Sequence, residues 1–427
     1  MQTQTYITNY TFNQDGTCFA CATSTGFRTF SLWPQPGEIS RRQVDESASA
    51  VGLATMLFQT NYVALVLKSQ PYKVLLWDDS LRQKPHEIWS RYEILNVLLR
   101  RDVLVVISEY RIYVYAFGSF QVLLHIETAS NPRGLAALCP GAHQTGGSWV
   151  LACPASGSST GTVKLQMGVD QSAEIANAHN HSLAAIALNA DGSLLATASE
   201  QGTVIKVFST RELVQLFSFR RGTYAGLISS LAFRLSDSRF LAVASGSSPT
   251  VHVFHLVAAG GQDDSEGGEL SSDQTRQQPA ATGMSAVATI AAKAAKAAVA
   301  AAVTAPNYFA ATRSYCQFRI PDVDNHGKPL LDLRLQPPGG STGSSAPSGI
   351  PIGPIVSFGK NGNIFVLHYN GVLYETDVPE GEGLPAVGEG GAVELGFKKA
   401  HVVFAARPDF RIEQGKAQEE EGAWQLL

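Results

Sequence analysis

Two adjacent arginines, Arg220 and Arg221, close the strand-like run Leu213 to Phe219 and are followed at once by Gly222. Successive side chains of a strand point to opposite faces, so each arginine can serve its own pocket on its own side. The guanidinium presents a rigid fork of donors that matches phosphate oxygens. Small hydroxyl residues surround the pair: Thr197, Ser199 and Thr203 before it, and Ser245, Ser247, Ser248 and Thr250 after it. His179 and His252 bound the same window, and Lys206 lies inside it. Hydroxyls, imidazoles and arginines around a concavity donate hydrogen bonds without bulk, which suits phosphate and inositol oxygens.

Other chemistries find less support. Gly157 to Gly161 and Gly339 to Gly343 both fit G-x-S-x-G, but neither lies between a strand and a helix as a nucleophile elbow requires. His179 and His181 have no Cys or carboxylate cluster to complete a four-coordinate metal site. Cys18 and Cys21 fall in one alternating strand, where residues three apart face opposite ways. They read as core cysteines rather than a zinc or redox pair. No Walker or dinucleotide glycine pattern is present. No enzyme activity, metal or cofactor is expected.

The bulk numbers set bounds. The chain has 427 residues, 44% of them hydrophobic, and a net charge of −4. A general nucleic-acid binder usually carries a basic footprint, so anion binding here is expected to be local. The five cysteines are scattered with no framework spacing, which points to a reducing compartment. The N-terminal MQTQTYITNYTF has neither the basic nor the apolar region of a secretory signal. The nearest approach to a spanning segment, residues 286–305, is mostly alanine and contains Lys293 and Lys296. The expectation is a soluble, cytoplasmic protein whose membrane contact, if any, is peripheral.

A repeated unit positions these residues. Asp15-Gly16, Asp191-Gly192 and Asn361-Gly362 each join two apolar runs, a hairpin signal. The runs ending at Trp77, Tyr115, Phe208 and Phe254 recur with a period of roughly 40 to 45 residues, the spacing of propeller blades. The fold class is therefore all-β, a seven-bladed WD40-like β-propeller spanning residues 1–405, with Trp77-Asp78 as a surviving WD pair. The blades centre near 6–33, 51–78, 95–127, 135–170, 183–219, 228–256 with 313–320, and 352–404. The N-terminal strand is expected to help close the last blade; a pair of β-sandwiches is the alternative. Residues 257–312 form a low-complexity insertion in the sixth blade, first acidic and Ser/Gly/Gln-rich, then an alanine-rich helix candidate. Residues 336–350 read as a flexible loop and 406–427 as a loose tail.

The window from His179 to His252, with its FRRG, resembles the PROPPIN family of polyphosphoinositide-binding propellers. The likeness extends to Phe12-Asn13-Gln14-Asp15, Arg111 to Tyr115, Ile126-Glu127-Thr128, Leu195 to Ser199, and Arg313-Ser314-Tyr315 before Ile320-Pro321. The resemblance implies binding of phosphatidylinositol 3-phosphate and phosphatidylinositol 3,5-bisphosphate in two pockets that flank the double arginine. Arg220 would serve the first with His179, Thr197, Ser199, Thr203 and Lys206. Arg221 would serve the second with Ser245, Ser247, Thr250 and His252. Lys206 stands where the family commonly has arginine, so it keeps the charge and loses the fork.

The resemblance also implies that the sixth-blade insertion contacts membrane, here through Lys293, Lys296, Tyr308 and Phe309. It implies recruitment of autophagy machinery, including a large lipid-transfer protein, to the forming autophagosome or to endosomal or vacuolar membranes. The protein-binding surface would lie near blades two and three. The alternative from another class is a WD-repeat interaction scaffold whose arginines read phosphorylated peptides.

Overall fold

The computed structural model describes residues 5–45, 49–141, 148–157, 160–246, 248–256, 312–320, 353–368, 371–379, 393–395 and 397–402. All regular structure among them is β-strand, arranged in seven sheets. Blade one comprises β1 (Ile7–Phe12), β2 (Cys18–Thr23), β3 (Gly26–Ser31) and β4 (Gly37–Arg42). Blade two holds β5 (Val51–Met56), β6 (Tyr62–Leu67), β7 (Gln70–Asp78) and β8 (Gln83–Trp89). Blade three holds β9 (Asn96–Leu99), β10 (Val103–Ile107), β11 (Arg111–Ala116) and β12 (Val122–Glu127). Blade four holds β13 (Ala137–Leu138), β14 (Val150–Pro154), β15 (Val163–Met167) and β16 (Gln171–Ile175).

Blade five is built from β17 (Leu183–Leu188), β18 (Leu194–Ser199), β19 (Val204–Ser209) and β20 (Gln215–Arg220). Blade six takes β21 (Ile228–Phe233), β22 (Phe240–Ser245) and β23 (Ser248–His255). The two-residue β24 (Thr312–Arg313) then adds to blade five, and β25 (Cys316–Arg319) completes blade six. Blade seven is β26 (Ile355–Phe358), β27 (Ile364–Leu367), β28 (Val372–Thr376) and β30 (Lys399–Val402). Before β30, β29 (Val393–Leu395) joins the edge of blade six. Within each blade the strands form an antiparallel meander, whereas β24 and β29 pair in parallel with β20 and β25. Both additions cover edges that would otherwise present unpaired backbone groups.

Local chemistry makes the turns. Gly16, Gly192 and Gly362 take φ of 65°, 75° and 80° in the β1–β2, β17–β18 and β26–β27 connections. These left-handed values carry little penalty without a Cβ. The carboxylate of Asp191 accepts from the Ser193 backbone N–H at 3.1 Å and its hydroxyl at 2.7 Å, which closes the turn from the side chain.

The core lies in the seams between blades. Seven apolar clusters are present, one for each pair of neighbouring blades. One joins blades one and seven through Phe19, Phe30, Phe365 and Leu373, so the ring closes. Cys18 belongs to the blade one–two cluster and Cys21 to the blade one–seven cluster, on opposite faces of β2. All five cysteines are buried and free. Burial pushes the Cys18 thiol up to about 11 and raises that of Cys21 further.

Three expectations need correction. The N-terminal strand does not close the last blade: β1 pairs with β2 in blade one, and blade seven has four strands of its own. Blades one and two extend past the expected 33 and 78 through the outer strands β4 and β8, which lack apolar alternation; β8 is almost wholly exposed, and β4 buries only Ser40. Arg313 belongs to the sheet of blade five rather than blade six. Of the expected insertion, residues 257–311 lie outside the described residues, as do 336–350 and 406–427; Thr312 already begins β24.

Candidate anion-binding site

The double arginine ends β20, and its two flanks are set by the neighbouring strands. Phe217 and Phe219 stack with ring centroids 5.6 Å apart, and Phe219 stacks on Phe254 of blade six at 4.8 Å. That face of β20 therefore looks toward blade six. The ladder continues past the strand end, with the Arg221 backbone N–H donating to the Thr203 carbonyl at 2.9 Å. Arg221 thus follows Phe219 onto the blade-six side. Arg220 pairs with Val204, two rungs from the Lys206–Ser218 pair, on the face turned toward blade four.

On that first flank, Thr197 pairs with Lys206 and Lys206 with Ser218, so their side chains share one face. The His179 Nε2 and Thr197 Oγ1 lie 3.0 Å apart, and Lys206 Nζ donates to the Ala178 carbonyl at 2.7 Å. These contacts stitch the segment before blade five onto its sheet. Ser199 lies two residues beyond Thr197 on the same face and is buried. Burial, and then the nearby Lys206 charge, push the His179 imidazole down to about 4. Burial also lowers Lys206 from its ordinary value.

The second flank gathers around Arg221. Its Nε donates to the Gly202 carbonyl at 2.6 Å and its terminal nitrogen to the Tyr224 carbonyl at 2.7 Å. These bonds aim the guanidinium across the seam. Gly202 has φ of 59°, and a Cβ there would collide with the Gly226 carbonyl oxygen, so the turn holding Arg221 requires glycine. In β23, Val251 and Val253 pack toward blade seven and Phe254 toward blade five. Alternation therefore puts Thr250 and His252 on the blade-five side with Arg221. The His252 Nδ1 and Ser314 Oγ are 3.4 Å apart, and Ser245 Oγ donates to the Leu227 carbonyl at 2.9 Å. Burial, followed by the Arg221 charge, pushes His252 down to about 4. Both histidines are thus neutral near pH 7, each with one ring nitrogen able to donate.

The structure brings together most of the expected residues and regroups one. Thr203 sits across the ladder from Arg221 rather than from Arg220. Ser247, Lys293, Lys296, Tyr308 and Phe309 lie outside the described residues. Sequence reasoning missed Ser314, which lies between β24 and β25, and Gln317 and Arg319, which β25 brings to the second flank: Gln317 pairs with His252, and Arg319 with Thr250. Gln317 Nε2 also donates to Ser314 Oγ at 2.9 Å. It also missed Arg313, the parallel-strand partner of Arg220. The run Arg313-Ser314-Tyr315 was visible as a landmark, but only strand pairing gives it a place. A cleft lined by Trp33, Pro34, Lys360 and Glu375 lies at the seam of blades seven and one and contains none of these residues. Among the described residues no cluster of His, Cys, Asp or Glu could hold a metal, and no helix is long and apolar enough to cross a membrane.

Comparison with known proteins points one way. The PROPPIN family model matches residues 6–321, well over half of the chain. Autophagy-related protein 18 of Scheffersomyces stipitis is 34% identical over 285 residues, covering 58% of this chain and 50% of the relative. The chain thus matches about half the length of that relative. Among solved structures, Kluyveromyces lactis Hsv2 aligns with a TM-score of 0.62 at 18% identity, over 94% of this chain and 100% of that one. KlAtg21, solved in complex with the coiled-coil of AgAtg16, gives 0.61 at 18% identity, over 93% and 99%. At this identity the two structures speak for the fold.

Proposed function

The chain belongs to the PROPPIN family, and from that premise we propose that it is a non-enzymatic phosphoinositide effector. It reads phosphatidylinositol 3-phosphate and phosphatidylinositol 3,5-bisphosphate on membranes through two pockets, one on each flank of the FRRG strand. The observation that carries this reading is the alternation at Phe219-Arg220-Arg221. It assigns each arginine to its own seam, beside a buried neutral histidine and a set of hydroxyls. A phosphate would meet a forked cation together with imidazole and hydroxyl donors.

Each pocket alone exchanges good hydrogen bonds with water for similar ones with the headgroup, so single-site affinity is modest. Two pockets on one membrane act together, because the second binding event is intramolecular. The insertion adds a third contact, with Lys293 and Lys296 meeting anionic lipid and Tyr308 and Phe309 at the interface. On the membrane the propeller recruits autophagy machinery, including a lipid-transfer protein, through the surface near blades two and three. Its sites of action are the forming autophagosome and endosomal or vacuolar membranes.

Vesicle co-sedimentation tests the reading. Arg220→Thr combined with Arg221→Thr is expected to abolish binding to vesicles containing phosphatidylinositol 3-phosphate while leaving the thermal unfolding midpoint within a few degrees. Undiminished sedimentation of the double variant would refute it. Competition by a phosphopeptide but not by phosphoinositide would favour a scaffold that reads phosphorylated partners.

A further inference from the structure

We propose that Arg313 is a further phosphate-binding residue, forming with Arg220 a two-arginine clamp for a phosphomonoester on the blade-four flank. This inference rests on the phosphate-reading role proposed for Arg220 and adds a residue to it. β24 runs parallel to β20 with Phe219 opposite Thr312 and Arg220 opposite Arg313. Paired residues on neighbouring strands share a face and stand about 4.8 Å apart. Two guanidinium groups therefore emerge side by side, next to the Lys206–Ser218 rung.

That arrangement needs a reason. Like charges directly opposite one another destabilise a sheet, and a two-residue strand offers little pairing to offset the repulsion. Arg313 is exposed, and among the described residues no carboxylate pairs with it. An anion bridging both forks removes the repulsion and replaces it with charge-assisted hydrogen bonds. A phosphomonoester fits, because its three terminal oxygens can engage two forks at once, whereas a phosphodiester exposes only two.

The position in the chain adds a consequence. Thr312 and Arg313 are the first described residues after the insertion, so the same anion would hold the return of the insertion onto blade five. Ligand binding and docking of that return strand become one event. The phosphate can belong to a lipid headgroup or be free in solution, and the chemistry of the clamp is shared by both.

The test uses the full chain with Arg313→Glu, Arg313→Lys, Arg220→Thr and the pair Arg220→Thr with Arg313→Thr. Four probes are titrated: vesicles with phosphatidylinositol 3-phosphate, vesicles with phosphatidylserine only, soluble inositol 1,3-bisphosphate, and inorganic phosphate. Arg313→Glu is expected to weaken binding of the soluble inositol phosphate by roughly tenfold with a melting temperature no lower than that of the wild type, because the like-charge pair is relieved. Arg313→Lys should lose a few-fold, and the double variant should be little worse than Arg220→Thr alone. Amide exchange at Thr312 and Arg313 should slow when the soluble probe is added. The clamp is overturned if Arg313→Glu matches the wild type on the soluble probes, or lowers only vesicle binding, phosphatidylserine included. It is also overturned if the two arginines contribute independently. If Arg220→Thr with Arg221→Thr still abolishes lipid binding in those cases, the phosphoinositide reading stands alone. If inorganic phosphate binds in an Arg313-dependent way but no phosphoinositide vesicle does, the clamp stands and the lipid reading fails.

Discussion

His179 and His252 flank the double arginine from either side, and both are neutral in the unliganded protein because burial holds them near 4. An unfolded imidazole titrates near 6.5, so the unfolded chain binds more protons as pH falls from about 6.5 to about 4. Stability is therefore fully present above that window and is lost on acidification through it. Urea midpoints at pH 7, 5.5 and 4.5 should decline, and His179→Gln with His252→Gln should flatten the decline. A phosphate beside either ring favours the charged form and raises its pKa. Binding then takes up protons, so affinity should rise as pH falls from about 7.5 to about 6.5, where a phosphomonoester with a second pKa near 6 still keeps most of its second charge. Proton uptake in two buffers of different ionisation enthalpy measures it. The opposed faces of Arg220 and Arg221 were legible from alternation alone. Gln317, Arg319 and Arg313 were not, because they follow the insertion and reach the site only through strand pairing.

At the scale of elements, β20 carries both the chemistry and the packing that aims it. Phe219 is fully buried between Phe217 and Phe254, in the cluster that joins blades five and six. Phe219→Ala should cost about 3–5 kcal/mol, lower the melting temperature, and weaken phosphoinositide binding although no ligand-facing group is changed. Retained affinity in the folded variant would show that the arginines do not depend on this stack. The strands near the axis were legible because they are apolar runs broken by Asp-Gly or Asn-Gly turns. β4 and β8 were not. With patterns such as QKPHEIW, in which only Ile88 is buried, an outer strand faces water on both sides and its sequence carries no periodic signal. β24 is shorter still, and two residues cannot announce a strand.

The whole molecule is a ring of seven seams of the same kind, each an apolar cluster between two blades. Seven blades were legible from the repeat period, but the manner of closure was not. A shared strand and plain packing leave similar apolar runs at the two ends of the chain, and only the pairing of β1 with β2 separates them. The seam of blades one and seven is held by Phe19, Phe30, Phe365 and Leu373, and by the Tyr10 hydroxyl donating to the Gly353 carbonyl at 2.8 Å. Among the described residues no strand crosses it.

That seam makes the starting point of the chain arbitrary. Here every four-strand meander from β1 to β20 is contiguous, so a circular permutant opened between blades three and four, near Ser130, leaves every sheet whole. Such a permutant, with a flexible linker joining the old termini, should fold to the same propeller. Its near-native circular dichroism and its retention of the wild-type response to Arg220→Thr with Arg221→Thr would demonstrate it.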